Sequence, residues 1–236
     1  AILALLWLAT EQRRAYSVFC VIGGGLGLMS LLTAGWPLHQ QFLHQIGNVA
    51  AGSIVVTINW NLHALLATIC CSADFTYIAF TELHTDQGGW SMFEKPVLWA
   101  GLPTALPILV PLAAVPFFRT ADPDARDQGL WPAVQNVLAL TAPIAWVYHY
   151  LPVVVLAPLL MVRLGKRLGL MAIVGTLALI SLPAVFLFGT LGLPNMLFLF
   201  FGVTALVGLL ALFIRAARAG SSHQPEQDLR PQSAPL

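Results

Sequence analysis

The chain has 236 residues, of which 58% are hydrophobic and 9% charged, with a formal net charge of +1. Soluble domains carry about 25% charged residues, so this chain is too poor in charge to cover a water-facing surface and several segments must face lipid. No basic stripe interleaved with aromatics is present, which excludes the usual nucleic-acid footprint.

The chain opens Ala1-Ile2-Leu3-Ala4-Leu5-Leu6 with no basic leader. That is not the pattern of a signal peptide. It reads as a chain entered in the middle of a span, so a fragment truncated at its N-terminus is expected. Residues 1–10 are apolar but shorter than the roughly 20 residues a span needs. Glu11-Gln12-Arg13-Arg14 is a charged turn. Residues 15–34 form the first complete apolar span. Gly23, Gly24, Gly25 and Gly27 lie inside it and suit close helix packing. No strand-to-helix switch surrounds them, so a nucleotide loop is excluded. Cys20, in the same run, reads as a small buried hydrophobe.

Residues 35–95 differ in character. They hold His39, His44, His63 and His84, the acids Asp74, Glu82, Asp86 and Glu94, and Trp36, Trp60 and Trp90. Leu38, Phe42, Leu43 and Ile46 recur at helical spacing among Gln and His, the pattern of an amphipathic helix at a membrane interface. A short helix over 62–71 is expected, capped by Asn59 or Asn61. Residues 81–91 have loop composition. The whole segment reads as a large extramembrane loop carrying short helices; a dip of residues 50–71 into the bilayer is the second reading. Cys70 and Cys71 are adjacent and lack a C-x-x-C partner, so neither a metal site nor a disulfide framework is expected. His39 and His44 are five apart and share no helix face, so no metal site is expected there either.

Residues 96–118 form a second span containing Pro103, Pro107, Pro111 and Pro116. Such a helix is kinked, and its freed carbonyls need partners. Residues 119–129 read as a charged loop, 130–162 as a long apolar run and 163–167 as a basic turn. Residues 168–190 form another span, 192–195 a turn and 196–214 the last span. Residues 1–218 are therefore read as one transmembrane domain that includes the external loop 35–95. Residues 219–236 are read as a disordered cytoplasmic tail.

Lys and Arg in short loops mark the cytoplasmic side. Arg13 and Arg14; Arg119 and Arg126; Arg163, Lys166 and Arg167; and Arg215 and Arg218 form four clusters, with Lys95 alone in the large loop. All four share a side only if residues 130–162 cross twice, as a helical hairpin. Legs of about sixteen residues reach about 24 Å, short of a hydrocarbon core of about 30 Å. The turn is thus expected below the outer surface, with Pro143 and Pro152 flanking it. These readings give an all-α, polytopic integral membrane bundle, multi-pass, with its C-terminus cytoplasmic; a bacterial plasma membrane is the expected setting.

The turn reads Thr141-Ala142-Pro143-Ile144-Ala145-Trp146-Val147-Tyr148-His149-Tyr150. A His at membrane depth beside a Trp and two Tyr marks a functional site by default. His149 can hydrogen-bond or protonate an anionic or hydroxylated ligand. Trp146 can stack on a sugar or isoprenoid face. The competing reading is an interfacial aromatic belt with a snorkelling His. Asp74, Glu82, Asp86 and Glu94 are candidate acids or bases, although loop carboxylates are ordinarily just solvated.

Residues 142–149 resemble the Ser-Pro-x-Ser-Trp-x-His-His signature of glycosyltransferase family 87, whose members are GT-C-fold membrane enzymes using polyprenyl-phosphate sugars, notably mannosyltransferases. Pro143, Trp146 and His149 match; Tyr148 replaces the first His, and Ala142 and Ala145 stand at the Ser positions. Asn59-Trp60-Asn61-Leu62 is similar to the family's Asn-Gln-Ser-Leu element, with Asn59 and Leu62 matching. The resemblance covers the C-terminal part of such an enzyme. It implies transfer of a sugar, mannose, from a polyprenyl-phosphate donor to a glycan or glycolipid acceptor on the non-cytoplasmic side. A base deprotonates the acceptor hydroxyl, which attacks the anomeric carbon as the lipid phosphate leaves. The resemblance assigns substrate-binding roles to Trp146, His149, Tyr148 and Asn59. It leaves the catalytic residue unknown, because the family's acid is expected in an external loop upstream of this chain. No cofactor is fixed, a divalent metal being the one candidate. Two other classes remain open: a transporter or channel built from broken helices, and a non-catalytic membrane scaffold.

Overall fold

A computed structural model of the chain describes residues 4, 6–7, 10, 12–54, 59–71, 92–94, 101–142, 145, 147–193 and 195–219. Trp146, the loop 81–91, His84, Asp74, Glu82, Asp86, Lys95 and the tail 220–236 lie outside the described residues. The described residues are overwhelmingly helical, as expected. Among the described residues a short antiparallel ribbon pairs β1 (Gly52–Ile54) with β2 (Met92–Glu94), Ser53 opposite Phe93.

The first helix, α1, runs Arg13–Ala51 and breaks at Gly35, where φ is 77° and ψ 159°. This backbone region is essentially reserved for glycine. Pro37 follows it closely, a position that suits the first turn of a new helix. The first helical rod therefore ends near Ala34, as expected, and the chain restarts as the second helix that the spacing of Leu38, Phe42, Leu43 and Ile46 predicts. His39 spans the break: its ring nitrogens lie 2.7 Å from the Gly35 carbonyl oxygen and 3.2 Å from the Ser30 hydroxyl. Residues nine apart sit about 13 Å from each other in a straight helix, so the Ser30–His39 bond closes only because the chain bends.

No residue in the most apolar stretch of α1 is buried. Cys20 is exposed, not buried as its apolar setting suggested. Nothing lies within 4 Å of a Cβ built at Gly23, Gly24, Gly25 or Gly27, so among the described residues those glycines pack against no neighbour. The reason is the same for both: the helix has few contacts with the rest of the described chain. Among the described residues two helices, over Arg13–Asn48 and Met196–Ala219, are long and apolar enough to cross a membrane.

Gly35→Ala is expected to impose about 1–3 kcal/mol of backbone strain, which the chain relieves by straightening. Spin-label distances between positions 28 and 43 should then lengthen toward the roughly 22 Å of an uninterrupted helix. An unchanged distance would show that Gly35 does not set the bend.

Helix α2 (Leu62–Cys71) starts where expected, and Asn61 is the cap: its Oδ1 accepts from Ala64 N at 2.6 Å. Helix α3 (Leu102–Thr120) contains Pro107, Pro111 and Pro116. The charged loop read over 119–129 is a correction. Only Ala121 and Asp122 are non-helical, and the chain resumes at once as α4 (Pro123–Ala125), a π-turn (Arg126–Leu130) and α5 (Trp131–Thr141). Asp122 accepts from Ala125 N at 2.8 Å, and Pro123 takes the first helical position. A capping Asp followed by Pro is a helix start, and the density of charge hid it.

After the turn, a 3₁₀ segment (Val147–Tyr150) leads into α6 (Leu151–Leu156) and α7 (Leu159–Leu164). Gly165, with φ 90°, reverses the chain into α8 (Lys166–Ile180). The single span expected over 168–190 is split at Ser181, where α9 (Leu182–Thr190) begins with Pro183 in its first turn. The proline ring clashes with the carbonyl four residues back and removes a donor. The last helix, α10, runs Asn195–Ala219.

The segment 130–162 does form a hairpin. Its two flanks meet: Arg163 lies 3.9 Å from Asp122 and 3.6 Å from Asp124, and donates from Nε to Gln128 Oε1 at 2.8 Å. A Cβ at Gly129 would lie 2.6 Å from that of Ala217, which brings the end of α10, with Arg215 and Arg218, to the same place. Lys166 and Arg167 follow the Gly165 turn directly. Trp7 stacks near both Trp131 (6.1 Å) and Phe19 (5.9 Å), so the start of α1 is close by. The four basic clusters thus gather at one end of the bundle, the arrangement that charge parity required. Helix α5 is bonded to α10 at mid-length, Asn136 Nδ2 donating to the Leu206 carbonyl at 2.9 Å. An interhelical amide bond of this kind is common glue between membrane helices.

Candidate functional site

At the opposite end, the turn of the hairpin meets Asn59-Trp60-Asn61. Asn59 Oδ1 accepts from Ala145 N at 2.8 Å and from Asn61 Nδ2 at 3.0 Å. Trp60 N donates to the Ala145 carbonyl at 3.1 Å, and the Tyr150 hydroxyl donates to the Trp60 carbonyl. His63 Nε2 lies 3.0 Å from the Thr141 carbonyl. The Ala145 N–H and carbonyl and the Thr141 carbonyl are therefore answered by the segment 59–63, with Asn59 86 residues from Ala145. Buried peptide groups demand such partners, and a two-leg hairpin that ends inside a bundle cannot supply them itself.

The surroundings are apolar. Trp60 and Tyr150 are fully buried within a cluster that includes Leu140, Phe198, Leu199 and Val203. Trp60 packs on Phe198 at 5.5 Å between ring centroids. Gly202 makes room for the indole, since a Cβ there would sit 2.9 Å from Trp60 Cδ1. The indole N–H has no acceptor among the described residues.

The structure separates the sequence-predicted site residues. Asn59 is completely buried, and the bonds that its Oδ1 accepts from Ala145 and Asn61 hold the frame; it positions the turn rather than facing an opening. Tyr148 and His149 point outward, Tyr148 being 54% exposed, and their rings lie 4.4 Å apart at 30°. Trp146 lies between Ala145 and Val147 but outside the described residues. Tyr150, Asn61 and His63 were not singled out beforehand as site residues, yet they are buried in the junction. The pattern Asn-Trp-Asn was a signal for Asn61; nothing local to Tyr150 or His63 pointed to a partner about 80 residues away.

The result is a buried, hydrogen-bonded frame with the Tyr148–His149 ring pair on its outer surface. His149 can donate or accept a hydrogen bond, and the Tyr148 ring offers a face for stacking. Among the described residues no three His, Cys, Asp or Glu converge as metal ligands. A separate groove of about 490 Å³ lies at the basic end between α3, α5 and α10, bordered by Phe117, Val134, Ile214 and Arg218; among the described residues, Asn59, Tyr148 and His149 do not border it. No protein-family model, no curated protein and no solved structure matches the chain.

Proposed function

We propose that this chain is a multi-pass membrane glycosyltransferase of the family 87 kind, or a fragment of one, using a polyprenyl-phosphate sugar, mannose, as donor and a lipid or glycan acceptor on the non-cytoplasmic side. Its basic end faces the cytoplasm and its Asn59–Tyr150 junction faces the other way. One observation carries the reading. The two segments with family-like residues, 59–62 and 142–149, are locked to each other by hydrogen bonds through Asn59 and Ala145. In this reading Asn59 holds the turn, and Tyr148, His149 and Trp146 meet the donor headgroup. The base that activates the acceptor is not among them.

The test is donor binding, which does not need that base. The purified protein in lipid nanodiscs is labelled with a photoactivatable polyprenyl phosphate, and unlabelled polyprenyl phosphate competes. A hydrogen bond to a charged group contributes about 1.5–3 kcal/mol, so His149→Ala should weaken competition by about tenfold or more. Tyr148→Ala should act in the same direction. Equal competition by the uncharged polyprenol, or an unchanged His149→Ala variant, would count against the reading.

A second reading has its own observation. The breaks at Ala157-Pro158 and Ser181 interrupt apolar helices in the body of the bundle, as in transporters. Solute flux across proteoliposomes without any lipid-phosphate binding would favour a transporter or channel instead.

A further inference from the structure

We propose that the second half of α1, residues 36–51, is an uncharged interfacial helix that lies along the bilayer surface on the side of the Asn59–Tyr150 junction. This rests on the membrane reading of residues 15–34. Those residues measure about 30 Å along the axis, the thickness of a hydrocarbon core of about 30 Å. The bend at Gly35 therefore falls where the rod leaves the hydrocarbon. A helix that starts there, turned aside and latched by His39 to Ser30 and Gly35, starts at the interface.

Its two faces match that position. Leu38, Phe42 and Ile46 follow one another at four-residue spacing, with Trp36 and Leu43 beside them, and all five are exposed. Gln40, Gln41, His44, Gln45 and Asn48 occupy the other side, where the Asn48 amide lies 3.3 Å from His44 Nδ1. Phe42 is 61% exposed and Trp36 58%, a stripe that water would leave unsatisfied. Trp36 stands at the first position after the bend, where aromatic side chains prefer the headgroup level. No residue from 36 to 51 is Lys, Arg, Asp or Glu. Interfacial helices normally add electrostatic attraction to anionic lipid; this one has only its apolar area, so it should seat equally on neutral and anionic bilayers. The ribbon strand β1 continues directly from its end, so the helix also sets the depth at which the chain enters the junction.

The test is site-directed spin labelling of the whole chain in bilayers, in a background with Cys20, Cys70 and Cys71 replaced by Ser. Labels go at positions 38, 42 and 46, at 41, 45 and 48, and at 26 within the span. The expected result is an oxygen-to-nickel accessibility ratio several-fold higher at 38, 42 and 46 than at 41, 45 and 48. It should be the same in phosphatidylcholine and in phosphatidylcholine with phosphatidylglycerol. Phe42→Glu should abolish the difference at 38 and 46. Equal nickel access on both faces overturns the proposal, because the helix then stands in water. Labels at 42 and 46 that are immobilised and shielded from both reagents overturn it in favour of a protein partner, a second copy included. Lipid access at 26 together with water access at 42 defeats the interfacial helix alone, whereas water access at 26 defeats the membrane reading beneath it.

Discussion

Asn59→Ala is expected to lower the stability of the folded protein by about 3 kcal/mol. The Asn59 oxygen accepts two bonds, from Ala145 N and Asn61 Nδ2, in a place with no exposed surface. Removing the acceptor strands both donors, and a buried donor left unpaired costs about 1–3 kcal/mol. The loss spreads, because Asn61 is oriented by Asn59 and in turn caps α2 through Ala64 N. Asn61→Ala removes the cap and only one of the bonds to Asn59, so a smaller loss of about 1 kcal/mol is expected. Thermal unfolding of both variants in one detergent gives the ranking. If Asn59→Ala unfolds with the wild type, the junction is a surface contact and not part of the frame.

The second large effect is expected at the other end. Gly129→Val places a branched side chain where even a Cβ would sit 2.6 to 2.8 Å from the Cβ, N and Cα of Ala217. Two of those three atoms are backbone of α10 and cannot rotate away. Overpacking costs about 1–3 kcal/mol, and a clash with backbone belongs at the upper end of that range. The displaced π-turn also carries Gln128, which binds Arg163, so the closure of the hairpin flanks loosens with it. Gly202→Ala should be milder, because the neighbour it meets is the Trp60 side chain. Gly208→Ala, which meets nothing within 4 Å, is the control and should be neutral or slightly stabilising, since Ala favours helix over Gly. Equal behaviour of the 129 and 208 variants would mean that α10 does not pack where described.

Much of this architecture was legible in the sequence. The end of the first span, the short helix after Asn61 and the turn after Gly192 followed from apolar runs, a capping Asn and glycine. Charge parity alone required residues 130–162 to double back. Other features were misread or hidden. The Asp122-Pro123 helix start was obscured by its neighbouring charges. The break at Ser181 was missed because Pro183 sits in an otherwise uniform apolar run. Cys20 and the glycines at 23–25 were expected to pack, and among the described residues they do not.

The sequence by itself determined which segments are apolar, where α2 starts, and which end of the bundle collects the basic residues. Those properties belong to single residues and their near neighbours, so composition and spacing report them. Only the tertiary structure decided that Asn59 reaches Ala145, that Tyr150 reaches Trp60, and that Asn59 is therefore buried while Tyr148 and His149 face outward. The physical reason is that a broken hairpin must find partners for its buried peptide groups, and which distant segment provides them depends on how the helices pack.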